Sequence, residues 1–179
     1  MTRRWAASGL LALLCLPAHA GEVFKLMTPV RYAPDAHVVG AARTSCDLEG
    51  YASRVFGERI RTSYPGSTEL SDAVGFSSVD GKVLRVSIVN VYGVGGGGWS
   101  GTKSVTIRAD LLEKGRLIGI RSITRSSRSL LGAVSGTCPM LENCLDALSK
   151  DVMVWLSHPP APPPDTTPEQ SDQSAPSAG

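Results

Sequence analysis

Three stretches in the middle of the chain alternate apolar and polar residues in the way that strands do. Lys82–Tyr92 has aliphatic residues on both of its faces, which is typical of a strand covered on both sides. Ser104–Leu112 alternates strictly, and Arg116–Thr124 follows it after turn residues at 113–115. We therefore predict a central strand followed by an antiparallel hairpin.

Two other stretches repeat apolar residues at intervals of three and four, the spacing of an amphipathic helix. The first runs from Cys46 to the turn at residues 64–66, with acidic residues in its first turn and arginines in its last. The second begins near Pro139, carries an apolar stripe over residues 141–156 and ends before Pro159. The sequence therefore predicts two helices.

The remaining segments predict shorter elements. Val23–Val30 and His37–Ala42 have strand composition and are separated by turn residues at 32–35. A short strand is expected near Ala73–Phe76, and residues 125–137 form a predicted polar loop. Two helices and four or five strands in this order predict an α+β two-layer sandwich, with a mixed or antiparallel sheet and both helices on one sheet face.

The first twenty residues have the pattern of a cleavable export signal. Two arginines precede an apolar run, and Ala18-His19-Ala20 is a small-x-small cleavage site. The run is shorter than the roughly 20 residues that a membrane span requires. We therefore expect residues 1–20 to be removed, a mature chain beginning at Gly21, and a periplasmic location without a transmembrane span.

Composition divides the expected mature chain into one domain and a tail. Residues 158–179 hold seven prolines and no aliphatic residue larger than Ala, so burial cannot offset their ordering entropy and we expect a disordered tail. Residues 21–157 suffice for a single domain with a substantial core. Between Gly21 and His158, sixteen Lys and Arg stand against thirteen Asp and Glu, a net charge of +3 that is too small to indicate nucleic-acid binding.

Three cysteines remain after the expected signal, and export would place them where disulfides persist. Cys46 and Cys138 each lie at the start of a predicted helix, so two helices packed side by side in parallel would bring them together. Cys144 instead flanks the apolar stripe of its helix. We predict a disulfide between Cys46 and Cys138 with Cys144 free; the alternative is that all three cysteines stay reduced.

A glycine-rich segment between two predicted strands is the first candidate for function. It satisfies the dinucleotide pattern G-x-G-x-x-G, but a predicted strand follows where phosphate binding needs a helix N-terminus. Trp99, preceded by Gly97 and Gly98, is a large apolar residue on a predicted surface loop and a candidate contact for a partner. Ser100 and Lys103 match the S-x-x-K pattern of serine acyl-enzymes, which defines a hydrolase as an alternative function.

A stretch without acidic residues between Lys114 and Glu142 is the second candidate. Its arginines are Arg116, Arg121, Arg125 and Arg128. Such a stretch could bind anionic lipid, lipopolysaccharide or peptidoglycan, and four solvated arginines on a strand and a loop are the alternative. The expected mature chain has only two histidines and no cluster of carboxylates, so no metal site and no cofactor is predicted.

Three parts of the chain resemble a group of uncharacterised exported proteins of Gram-negative bacteria: Gly93–Ser104, residues 136–138 (G-T-C) and Ala147–Leu156. More distantly, the order strand, helix, strands, helix is similar to small envelope α/β domains. These are the N-terminal domain of the Tol-Pal β-propeller protein, the curli-secretion lipoprotein and auxiliary lipoproteins of transporters. The resemblance implies partner binding or assembly rather than catalysis, and it assigns no functional residue. Leu14 before Cys15 departs from a lipoprotein signal, which needs a small residue there.

The sequence therefore predicts a periplasmic, non-enzymatic interaction or assembly module whose partner is an envelope protein or an anionic envelope component. The candidate contact residues are Gly97, Gly98, Trp99, Arg121, Arg125 and Arg128. The alternatives are a hydrolase that uses Ser100 and Lys103, and an anion-binding protein that uses the arginines at 116–128.

Overall fold

The described part of the chain forms one sheet with helices beside it. The computed structural model describes residues 22–71, 75, 79–93, 101–127 and 136–158. The strands are β1 (Phe24–Thr28), β2 (Arg31–Val38), β3 (Thr68–Ser71), β4 (Lys82–Tyr92), β5 (Lys103–Glu113) and β6 (Arg116–Ser127). The helices are α1 (Gly40–Ser45), α2 (Leu48–Ser63) and α3 (Thr137–Ser157).

The strand β4 is central because both of its edges are hydrogen-bonded. One edge pairs antiparallel with β5 from Lys82 to Tyr92. The other edge pairs parallel with β1 near its start and with β2 near its end. β3 adds to β1 in parallel and β6 adds to β5 antiparallel, so the sheet order is β3-β1-β4-β5-β6 with β2 also on β4. The predicted central strand and the hairpin after it are confirmed.

The long helices α2 and α3 lie side by side on one face of this sheet and close its core. Fully buried residues of this core include Leu26, Leu84 and Ile107 from the sheet and Phe56, Leu145 and Leu148 from the helices. Burying a side chain of this size stabilises the fold by about 1.5–3 kcal/mol. The predicted α+β two-layer sandwich with both long helices on one face is confirmed, but the described residues form six strands where four or five were predicted and add the short helix α1.

The opposite sheet face carries a smaller apolar cluster at one end and polar pairs farther along. The cluster consists of Met27, Val79, Val83 and Leu112, with Leu70 against it. Arg85 donates two hydrogen bonds to the buried carboxylate of Asp110, at 3.0 and 2.7 Å. The hydroxyls of Thr106 and Thr124 share a hydrogen bond of 2.8 Å across β5 and β6. The helix-covered face therefore holds the main core.

The N-terminal part of the sheet differs from the sequence-based expectation in two places. β2 runs through residues 32–35, where the sequence predicts a turn, and its register against β4 shifts between Tyr32 and His37. Pro34 is tolerated because the shift leaves this part of the strand without partners in the ladder with β4. The strand predicted at His37–Ala42 is only partly formed. β2 ends at Val38, and the helix α1 begins at Gly40.

Two further strand positions also change. β3 lies at residues 68–71, ahead of the strand expected near Ala73–Phe76, and most of that expected strand falls outside the described residues. β6 extends to Ser127, so Arg125, which the sequence assigns to a polar loop, lies on a strand; residues 128–135 of that predicted loop lie outside the described residues. Pairing of Lys103 with Ser127 shows that the ladder with β5 continues through this polar segment. Cross-strand pairing, rather than composition, sets the end of the strand.

Contacts between α2 and α3 fix the position of the longer helix. Arg59 of α2 donates a hydrogen bond of 2.9 Å to Asp146 of α3, and the hydroxyl of Tyr64 donates to the Met153 carbonyl at 3.0 Å. A hydrogen bond from Lys150, together with the charge of Arg59, lowers the pKa of the Asp146 carboxyl. These polar contacts flank the apolar seam between the two helices.

The starts of the two long helices are joined covalently. Cys46, two residues before α2, forms a disulfide with Cys138 in the first turn of α3, and their Cα atoms are 5.4 Å apart. The two cysteines are separated by 92 positions in the sequence, and a cross-link of that span stabilises the fold by about 4–5 kcal/mol in the chain-entropy model. Cys144 is a free cysteine within α3, and burial raises the pKa of its thiol.

We expect Cys144 of the native protein to resist iodoacetamide at pH 8.5, because its thiol is buried and its pKa is raised. Non-reducing peptide mapping should find Cys46 linked to Cys138 and Cys144 modified only after unfolding in urea. A link between Cys138 and Cys144, or rapid modification of Cys144 in the native protein, would contradict this expectation.

Candidate functional site

A groove between β6 and α3 combines exposed charge with exposed apolar surface. Its volume is about 390 Å³. It is lined by Arg121, Ile123 and Arg125 of β6, by Asp151, Val154 and Trp155 of α3, and by His158. We call this surface the β6–α3 groove.

The pairing of β6 with β5 turns three β6 side chains toward the helices. Arg121, Ile123 and Arg125 lie opposite alternate core residues within 105–109 of β5. Residues directly opposite each other in an antiparallel pair share a face of the sheet. The two arginines and the isoleucine therefore point to the helix side, at the rim of the core.

The last turns of α3 form the other wall of the groove. Trp155 is only 8% exposed and belongs to the core, whereas Val154 beside it is 67% exposed. Asp151 precedes both by three or four positions and so lies on the same side of the helix. The helix thus presents an aliphatic side chain, the edge of an indole and a carboxylate to β6.

One ion pair crosses the β6–α3 groove. The guanidinium of Arg125 donates to both carboxylate oxygens of Asp151, at 2.5 and 2.6 Å. The hydrogen bonds to Asp151, together with its negative charge, raise the pKa of Arg125. The Arg125 side chain is 52% exposed, and an ion pair that accessible to water contributes little to stability.

Arg121 has a different environment from Arg125. It is exposed and lines the same groove, but among the residues that the structure describes it has no ion pair and no hydrogen bond from its side chain. Within the described ranges, the groove therefore contains one arginine paired with Asp151 and one arginine, Arg121, without a charged partner.

A second depression, of about 430 Å³, lies beside the disulfide at the start of α2. Its charged groups are already engaged. Glu49 accepts a hydrogen bond of 2.7 Å from the backbone N–H of Tyr32, and Asp47 caps α2 by accepting from the Gly50 N–H at 3.0 Å. Arg43 stacks on the Tyr32 ring at 4.9 Å. This depression therefore offers less free charge than the β6–α3 groove.

The structure brings two of the predicted contact residues together. Arg121 and Arg125 share the helix-facing side of β6. Gly97, Gly98, Trp99 and Arg128 lie outside the described residues.

The lysine of the S-x-x-K pattern lies on a strand. Ser100 lies outside the described residues, and Lys103 begins β5 with its side chain fully buried. The lysine stem packs so closely against Gly93 that a Cβ there would meet Lys103 Cδ at 2.7 Å. The pattern in serine acyl-enzymes requires a lysine one helical turn from the serine, and a buried strand residue does not provide that geometry.

Sequence reasoning missed the helical wall of the groove. Asp151 is one charge among many on a helix, and only the fold shows that it faces Arg125. Val154 did carry a signal, because it is an aliphatic residue that lies off the apolar stripe of its helix. Single exposed apolar residues are common on protein surfaces, so Val154 gains meaning only beside the charged and aromatic residues of the groove.

The described residues contain neither a candidate metal site nor a candidate membrane-spanning helix. No group of three or more His, Cys, Asp and Glu side chains there could hold a metal ion. No helix in the same ranges is long and apolar enough to cross a membrane.

Comparison with known proteins shows the fold and no family. No protein-family model and no curated protein sequence matches the chain. A crystal structure of an uncharacterized protein is similar with a TM-score of 0.52 at 12% identity, covering 75% of this chain and 92% of that one. A DUF330 protein of Xanthomonas campestris gives 0.47 at 14% identity, covering 79% and 88%. A minor lipoprotein of Acinetobacter baumannii gives 0.43 at 12% identity, covering 76% and 93%.

We expect Asp151→Asn to change the free energy of unfolding by less than about 1 kcal/mol, because the ion pair that it breaks is accessible to water. Val152→Ala, at the next position of α3, is the matched control and should cost about 2 kcal/mol because Val152 is fully buried. Urea denaturation of both variants at neutral pH measures the difference. If Asp151→Asn cost as much as Val152→Ala, the ion pair would be a structural element and not part of an adaptable surface.

Proposed function

We propose that this chain is a non-enzymatic interaction module of the cell envelope and that it contacts its partner through the β6–α3 groove. One observation carries the proposal. Arg121, without a partner among the described residues, lies in the same groove as the exposed Val154 and the edge of Trp155. Apolar contact area supplies binding energy, and a fixed charge supplies orientation and specificity. This combination is typical of a recognition surface.

The envelope location is supported by the sequence and by the disulfide. Residues 1–20 have the pattern of a cleaved export signal, which would deliver the chain to the periplasm. The Cys46–Cys138 disulfide fits an oxidising compartment, because disulfides persist there and are uncommon in the cytosol. The resemblance to the Tol-Pal propeller domain and to curli-secretion and transporter lipoproteins also favours partner binding.

The alternatives are less well supported. A hydrolase using Ser100 and Lys103 would need an accessible lysine, and Lys103 is buried. A surface that binds anions through all the arginines of 116–128 would need several free cations, and Arg125 is already paired with Asp151. The predicted contacts of Gly97, Gly98, Trp99 and Arg128 remain proposals that the same experiments address.

Val154→Asp should lower recovery of the partner from an envelope extract about tenfold. The change removes an exposed apolar contact and adds a second carboxylate beside Asp151, and truncating an anchor residue at an interface costs about 1–2 kcal/mol of binding. The melting temperature should stay within about 2 °C of the unmodified protein, because an exposed side chain leaves no cavity. Quantitative pull-down and thermal unfolding measure the two effects.

Val23→Asp is the matched control, since it makes the same change at an exposed valine before β1, outside the groove. Equal losses for Val23→Asp and Val154→Asp would exclude the β6–α3 groove as the contact. Trp99→Ala, measured in parallel, decides between surfaces: a loss confined to Trp99→Ala would move the contact to the glycine-rich segment.

We expect the mature protein to begin at Gly21, because the two arginines, the apolar run and Ala18-His19-Ala20 together specify cleavage there. N-terminal sequencing of protein from the envelope fraction measures this directly. Recovery from the cytosol of protein that still starts at Met1 would contradict the proposed location.

A further inference from the structure

We propose that the outer edge of β6 binds an extended acidic segment of a partner protein as an added β-strand. The inference rests on the proposed function and specifies the chemistry of the partner. It follows from the open edge of β6, from the charge on that edge and from the residues that line the β6–α3 groove.

The outer edge of β6 presents backbone groups that no described strand uses. Among the described residues β6 pairs with β5 alone, from Arg116 to Ser127, and the sheet order ends there. In an antiparallel strand every second residue points its N–H and C=O away from the existing partner. β6 is 12 residues long, so its edge can pair with a peptide of several residues.

The charge on this edge disfavours a second copy of the chain in the registers that are centred on the groove-facing residues of β6. Two β6 strands would pair antiparallel about a two-fold axis. Registers centred on Arg121 or Arg125 place each of these arginines opposite itself, and a register centred on Ile123 places Arg121 opposite Arg125. Like charges directly opposite each other destabilise a strand pair, whereas a carboxylate in that position stabilises it.

Side-chain alternation fixes which residues of an added strand face the groove. The positions opposite Arg121, Ile123 and Arg125 face α3, and the positions between them face the other side. Arg121 favours a carboxylate opposite it, and Ile123 favours an aliphatic side chain, which Val154 would also contact. Because Asp151 neutralises Arg125, the residue opposite Arg125 is selected less strongly for negative charge than the residue opposite Arg121. The fitting segment is therefore acid-x-aliphatic along one face.

The chain's own C-terminal residues do not fit this description. Residues 158–179 contain acidic residues, but they hold seven prolines and no aliphatic side chain larger than Ala. Proline has no N–H to donate to a ladder, so it is poorly suited to an added strand. The occupant that fits is a segment of another protein.

A fluorescein-labelled heptapeptide, Thr-Glu-Thr-Val-Thr-Glu-Thr, is the probe. Its palindromic pattern presents Glu, Val and Glu to the groove whether it adds parallel or antiparallel. We expect saturable binding to the purified protein by fluorescence anisotropy, and about tenfold weaker binding of the same peptide with Lys in place of Glu. Size-exclusion chromatography of the free protein reports whether a second copy already occupies the edge.

Charge reversal on the protein should reverse this preference. Arg121→Glu should weaken binding of the Glu peptide about tenfold. The same variant should bind the Lys peptide more tightly than the unmodified protein does. Arg54→Glu, an equal change of charge on an exposed residue of α2, is the control and should leave both affinities within about twofold. Asp151→Asn should tighten binding of the Glu peptide several-fold, because it frees Arg125 to pair with the second glutamate of the peptide.

Backbone methylation of the peptide tests strand addition separately from charge. N-methylation at alternate residues that donate to β6 should abolish binding, and methylation of the intervening residues should be tolerated. Equal effects of the two methylation sets would overturn strand addition. Loss of the Glu–Lys preference, or a self-associated protein that excludes the peptide, would also overturn the inference. If the peptide fails to bind while Val154→Asp still lowers partner recovery, this inference is wrong and the proposed function stands.

Discussion

The double pairing of β4 is the constraint on which the rest of the structure depends. β5 is hydrogen-bonded to one edge of β4, and β1 and β2 share the other edge. A shift of β4 along its own axis would therefore break backbone hydrogen bonds on both edges. Its aliphatic residues therefore set the plane on which both long helices pack. The position of β5 then determines β6, and β6 determines which side chains reach the rim beside α3. The groove is thus a consequence of strand register two strands away from the centre of the sheet.

Much of this architecture could be predicted from the sequence, because its main elements have strong internal periodicity. β4, the hairpin and the long helices follow from alternation and from three-four spacing, and all form near their predicted bounds. The weaker predictions failed where tertiary pairing overrode local signals. Pro34 belongs to a segment whose composition predicts a turn, yet it lies within β2 where the register against β4 shifts. Arg125 has loop neighbours, yet pairing with β5 keeps it on a strand.

The groove was only half predictable, for a related physical reason. An arginine-rich stretch without acids is visible in any reading of the chain, so Arg121 and Arg125 could be named as candidates. Which of the two is neutralised depends on Asp151, which lies 26 positions after Arg125 and on another element. Charge availability is a property of spatial neighbours, and sequence spacing carries little information about neighbours on different elements.

The disulfide at the helix starts gives α3 two unequal ends. Its first turn is covalently tied to Cys46, whereas its last turns are held by packing, by the Tyr64 hydrogen bond to Met153 and by the ion pair with Arg125. A helix of 21 residues is about 30 Å long, so a tilt of roughly 5° about the tied end displaces the other end by about 2.5 Å. Any tilt of α3 about its cross-linked end would therefore change the width of the opening beside β6 more than any other dimension of the fold.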